Sequence, residues 1–150
     1  MKLRIIAAFA LASASLANAQ DVDPANATPI SGDWSYSQIS GGTQASFLTA
    51  GGAPQIDIRC LRASRQVVFS KPATGAVPFL NVWTSSLTPD LPASYEPAVR
   101  RLVARVSVTD PLLDALVYSR ARIAFTVRGS PQLVLPNFPE VTRVVEDCRA

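Results

Sequence analysis

Gln55-Ile56-Asp57-Ile58-Arg59-Cys60 is the stretch on which the fold turns. Its residues alternate apolar and polar, the rhythm of a strand with one face buried and one face wet. Ile56, Ile58 and Cys60 share the inner face. Gln55, Asp57 and Arg59 share the other. The same period extends upstream, where Trp34 and Tyr36 alternate with serines and Ala45 and Phe47 alternate with Gln44 and Ser46. Ser40-Gly41-Gly42 and Gly51-Gly52 turn the chain between these runs. Downstream, Arg62 to Arg65 form a polar turn into Val67-Val68-Phe69. Residues 33–70 therefore read as a four-stranded antiparallel meander.

Beyond it the signals are mixed. Residues 72–78 read as a loop and Phe79 to Thr84 as a strand. Thr88 to Pro97 carries three prolines and reads as a loop with extended pieces. Leu102 to Val108 alternates again. Asp110 or Thr109 can cap a helix with Pro111 in its first turn, where the missing N–H has no intrahelical partner. Leu112, Leu113, Leu116 and Val117 supply that helix's apolar stripe. Ile123 to Val127 and Leu133 to Leu135 are strands around a Gly129-Ser130-Pro131 turn. The last segment is a helix from Pro139, with Asn137 as candidate cap. Its stripe of Val141, Val144, Val145 and Cys148 falls at i, i+3, i+4, i+7.

The fold expected is mainly β (α+β): seven to nine short antiparallel strands as a β-sandwich or a partly open barrel, with two short helices. Two independent patterns place both cysteines inside, Cys60 on a strand and Cys148 on the final helix. A Cys60–Cys148 disulfide stapling that helix to the strand follows. It closes a loop of about ninety residues and contributes roughly 4 kcal/mol.

The N-terminus decides the compartment. Lys2 and Arg4 precede an uncharged apolar run from Ile5 to Leu16, then Ala17-Asn18-Ala19. This is the layout of a secretory signal peptide, residues 1–19. Residues 20–32, rich in Asp, Pro, Asn and Thr, read as a flexible tether, and residues 33–150 as a single β-rich domain. An oxidising periplasm is where a two-cysteine chain forms a disulfide. Removing Lys2 and Arg4 takes the formal net charge from +3 to +1. That removes the basic excess on which nucleic-acid binding rests. No stretch is long and apolar enough for a membrane span.

The chain has no histidine. This excludes Ser/His/Asp and Cys/His nucleophilic sites and the zinc sites built on His. With both cysteines oxidised, no catalytic residue, metal or cofactor site is expected. Carboxylate pairs remain in Asp110/Asp114 and Glu146/Asp147, but helix capping and a solvated helix face account for the first pair. Tyr118, Arg120 and Arg122 at the end of the first helix form the candidate site for a small anionic ligand, since a planar guanidinium fork grips carboxylates well. Arg59, Arg62 and Arg65 make a second basic patch. Trp34, Trp83, Tyr36, Tyr95 and Phe138 are candidates for a sugar- or ring-stacking surface.

Asp110-Pro111-Leu112-Leu113-Asp114-Ala115-Leu116, Ser119-Arg120, Pro139-Glu140 and Glu146-Asp147-Cys148-Arg149 together resemble a family of small exported alphaproteobacterial proteins, sphingomonad-like ones especially. The order of helix, two strands and final helix is also similar in layout to the invasion-associated locus B type of periplasmic β-sandwich. That family's paired cysteines are not matched residue by residue. The resemblance spans residues 110–149, implies export, and carries no catalytic residue over.

These readings lead to a non-catalytic periplasmic binding or protein-interaction domain, its partner an envelope protein or a small anionic ligand. An alternative is an inhibitor of an envelope-directed hydrolase such as lysozyme, with residues 84–97 as the inserting loop. A carboxylate-dependent hydrolase is the least favoured.

Overall fold

A computed structural model describes residues 22–150; the expected signal peptide, residues 1–19, lies outside the described residues. The elements run β1 (Gly32–Ile39), β2 (Gly42–Thr49), β3 (Pro54–Leu61), β4 (Gln66–Pro72), β5 (Phe79–Trp83), β6 (Asp90–Glu96), β7 (Arg101–Ser107), α1 (Pro111–Val117), β8 (Arg122–Thr126), β9 (Leu133–Pro136) and α2 (Pro139–Arg149). All strand pairs are antiparallel, in one sheet of order β1-β2-β3-β4-β7-β6-β5-β8-β9. The sheet curls into a half-barrel. Of the two architectures that alternation left open, the partly open barrel is the one formed.

The meander is built as its alternation requires. Ile56, Ile58 and Cys60 are fully buried and sit opposite Phe47, Ala45 and Thr43 of β2. Gly42 has a steric reason for being glycine, because a Cβ there would lie 1.8 Å from the Cys60 carbonyl oxygen. The first four strands then share their inner face with Leu102, Ala104 and Val106 of β7 and with the apolar residues of β5, β8 and β9.

β6 departs from the expectation of a loop over residues 88–97. Its first residues pair with β5, Phe79 lying opposite Pro92, and its last four pair with β7. Pro92 stands at the changeover between partners. Its lack of an N–H therefore costs the ladder little. The prolines at 89 and 97 bound the strand rather than break it. This also corrects the proposed inserting loop of residues 84–97, because residues 90–96 are locked inside the sheet. What remains free is the short connection ahead of β6.

The two sheet edges meet through single contacts rather than a ladder. Ile30 donates its backbone N–H to Val134 O at 3.0 Å, and Trp34 Nε1 donates to Pro136 O at 2.8 Å. Both cover edges that would otherwise invite pairing with another chain. Ahead of β1, residues 22–31 form neither strand nor helix. Pro24 is buried, and Ile30 packs on the core.

The two helices pack against each other. Asp110 Oδ1 accepts the Leu112 N–H at 2.8 Å, the expected cap. α2 buries the expected stripe of Val141, Val144, Val145 and Cys148 and packs across β1 to β4. Its cap residue, however, is Phe138, without a side-chain bond. Asn137 instead donates Nδ2 to Leu116 O at 2.9 Å and Ser119 O at 3.0 Å. The chain leaves β9 beside the end of α1, so this amide meets that helix's orphan carbonyls first. Asp114, expected on a solvated face, holds Arg149 at 2.7 Å. Cys60 and Cys148 form the disulfide, with Cα atoms 5.2 Å apart. Among the described residues, no helix is long and apolar enough to cross a membrane.

Lys71, next to last in β4, is half-buried, and two effects lower its pKa from the usual 10.5: burial first, then the charge of Arg101. Between the lowered value and 10.5 the unfolded chain keeps a proton that the folded chain has released. Stability therefore rises with pH across that window. Tyr36 acts in the opposite sense but only above its usual 10.0, because its bond to Asp147 raises it. Urea midpoints should thus climb as the pH approaches 10 from below, and Lys71→Met should flatten the climb.

Candidate functional site

β5 alternates within the sheet. Leu80 and Val82 point inward and are fully buried. Phe79, Asn81 and Trp83 occupy the outer face, where a soluble strand ordinarily carries polar residues alone. These three side chains form the floor of a groove of about 550 Å³, within the range of small-ligand sites. Thr126 of β8 lies beside them, Arg128 and Gln132 come from the β8–β9 connection, and Thr88 and Asp90 come from the entry to β6. Pro24 and Pro78 complete the lining.

The walls are held by hydrogen bonds. Asn81 Nδ2 donates to Asp90 Oδ1 at 2.9 Å, which orients that carboxylate. Buried Thr84 closes the turn after β5. Its Oγ1 donates to Leu87 O at 2.8 Å and accepts the Leu87 N–H at 2.9 Å. At the other wall, Asp23 Oδ1 accepts from Ala25 N at 3.0 Å and Oδ2 from Asn26 Nδ2 at 2.9 Å. Arg122 Nη1 donates to Ala25 O at 2.9 Å, fastening this segment to the barrel.

The three residues of the expected anion site stand outside this groove. Arg122 spends one guanidinium corner on the N-terminal segment and so positions the groove wall that holds Pro24. Tyr118 stands on the α1–β8 turn 79% exposed. Arg120 is exposed, and its backbone N–H donates to Ser85 Oγ at 3.1 Å. None of the three lines the groove, whose guanidinium is Arg128. Of the aromatic candidates, Trp83 does line it. Trp34 is buried in the core against Phe47, and Tyr36 holds Asp147 at 2.6 Å beneath the Arg143 guanidinium. Nothing local in the sequence marks Phe79, Asn81, Asp90 and Arg128 as one site. One signal for them was present, namely two aromatics on the outward positions of a strand whose inward positions are already apolar.

Protein-family models, curated proteins and solved structures were all compared with the chain, and none matches. The chemistry of the site is therefore read from its geometry. Two aromatic faces flank an amide, with one carboxylate and one guanidinium within the same lining. Stacking and hydrogen bonding to a ring with polar substituents are what this set can perform. Among the described residues, no cluster of three or more His, Cys, Asp or Glu side chains offers a metal site.

Proposed function

We propose that the protein is a non-catalytic binding domain of the bacterial periplasm, and that the β5 groove takes a short saccharide bearing a carboxylate. The observation that carries this reading is the outward row Phe79–Asn81–Trp83 with Arg128 and Asp90 at its sides. Aromatic faces stack on the apolar faces of sugar rings. Amide and carboxylate groups pair with hydroxyls, and a guanidinium pairs with a carboxylate. Phe79 and Trp83 leave the strand about 13 Å apart at roughly 3.3 Å per residue, a span that two or three sugar rings cover. The signal-like N-terminal stretch and the resemblance of residues 110–149 to exported proteins support the compartment, as does the disulfide.

Fluorescence titration of the purified protein with chitin oligomers and uronic-acid oligomers tests this. Binding of the acidic oligomers should saturate, and Trp83→Ala should weaken it at least tenfold, about 1.4 kcal/mol. Arg128→Gln should erase the preference for acidic over neutral oligomers. No saturable binding across both series would overturn the reading. So would turnover of an oligomer that disappears in Asp90→Asn.

A second reading, a protein partner such as an envelope protein or a lysozyme-like hydrolase, is favoured by one feature. Tyr118 and Phe138 are exposed on loops tied together through Asn137, whose N–H donates to Ala121 O at 3.0 Å. Exposed aromatics on a rigid base are what binding hot spots use.

A further inference from the structure

The outer face of β3, β4 and β7 carries two rows of side chains in register. In the first row Asp57 lies opposite Ser70, and Ser70 opposite Val103. Its charges are matched. Arg101 Nη2 donates to Asp57 Oδ2 at 2.6 Å and Nε to Ser70 Oγ at 2.6 Å. Ser46 Oγ donates to the other carboxylate oxygen at 2.6 Å.

In the second row Arg59 lies opposite Val68, and Val68 opposite Arg105. Here two cations stand two strands apart, about 10 Å between backbones, over a buried valine. Their side chains line one small cavity of about 90 Å³ with Leu61, Val68, Val103 and Glu96. Glu96 is the one carboxylate in that lining, and it reaches Arg105 at 3.4 Å. The Nε of Arg59 is buried and finds no hydrogen-bond partner among the described residues. A buried donor of a charged group without an acceptor is costly. The cavity therefore holds a net positive charge, an unspent donor and room for one small group.

We propose that this cavity is an oxyanion site, independent of the β5 groove, in which Arg59 and Arg105 clamp a phosphate group. The two guanidinium forks supply the charge-assisted bonds that oxyanions favour. Glu96 accepts from a protonated phosphate oxygen and holds the net charge of the site low enough to stay folded when empty. Arg62 and Arg65, on the turn that joins β3 to β4, extend the positive field that draws an anion in.

The test is an NMR titration of the purified protein with inorganic phosphate, following the arginine Nε–H signals. Arg59 and Arg105 should shift together and saturate in the millimolar range, with the effect weakening as salt rises. Arg59→Gln and Arg105→Gln should each raise the apparent Kd at least tenfold, and Glu96→Gln should lower it several-fold. Arg59→Lys keeps the charge but loses the fork. It should also weaken binding, which preserves the test if the glutamine variant unfolds. Equal shifts at all arginines, or binding unchanged in both Arg59 variants, would overturn the proposal. Vesicles of phosphatidylglycerol and of phosphatidylcholine separate the sources. Co-sedimentation with the first only, competed by phosphate, identifies a lipid headgroup. Phosphate binding without co-sedimentation identifies a soluble phosphate. No response to phosphate or to either vesicle would sink the site.

Discussion

Replacing both Cys60 and Cys148 by alanine is expected to lower the free energy of unfolding by about 4 kcal/mol. The bond spans 88 residues, so removing it restores a long stretch of chain entropy to the unfolded state. The folded state also loses the cross-link that ties α2 to β3. The other attachments of that helix are weaker. Arg149–Asp114 and Tyr36–Asp147 are partly exposed, and exposed pairs contribute little. The valine stripe remains, but eleven residues are too few to keep a helix without tertiary support. Thermal unfolding followed by circular dichroism should show a midpoint lower by about 10–20 °C for a domain of this size. Reductant should reproduce the loss in the unaltered protein and do nothing to the variant. A drop of less than about 1 kcal/mol, below the usual 2–5 for a native disulfide, would mean that packing alone fixes α2.

Arg101→Met should destabilise the protein by about 3–5 kcal/mol, the usual consequence of stranding one member of a buried ion pair. The side chains of Arg101 and Asp57 are only 15% and 12% exposed. Without the guanidinium, the Asp57 carboxylate would face Ser46 and Ser70 with no counter-charge. Arg101 also bonds Ser70 O at 2.6 Å, so the same change frees a backbone acceptor. The double variant Asp57→Leu/Arg101→Met removes both charges and should recover most of the loss, because two apolar side chains tolerate this site better than one orphan ion. Urea unfolding of the two single variants and the double variant closes the cycle. If the double variant loses as much as the two singles summed, the pair is not coupled, and the stability resides in the serines.

How much was legible differs by element, and the differences have causes. The meander over residues 33–70 could be read because one face is buried and the other is wet, so every second residue reports its side. α2 could be read because its valine stripe repeats at helical spacing. The disulfide followed because a strand pattern and a helix pattern independently placed one sulfur inside each. β6 is not legible, since Pro92 within it and the prolines at 89 and 97 on either side signal a break. Only the exchange of partners at Pro92, a long-range fact, removes the need for that N–H. The role of Asn137 is not legible either, because the carbonyls it meets, those of Leu116 and Ser119, lie 21 and 18 residues earlier in the chain.

The functional surfaces show the same division. Tyr118, Arg120 and Arg122 are neighbours in sequence, and that closeness is what makes them read as one site. Arg122 is drawn to Ala25, and none of the three lines the groove. The groove instead gathers Pro24, Phe79, Asp90 and Arg128, which nothing local connects.

Residue type and short-range period suffice for the β class, the two helices, the buried pairing of Cys60 with Cys148 and the absence of histidine chemistry. Long-range packing is what closes the nine described strands into one open barrel, turns aromatic Phe79 and Trp83 outward into a groove, and sets Arg59 and Arg105 on either side of Val68. Strand register and sheet curvature are set by side chains far apart in the chain, and a period of two says which face a residue takes but not which strand lies beside it.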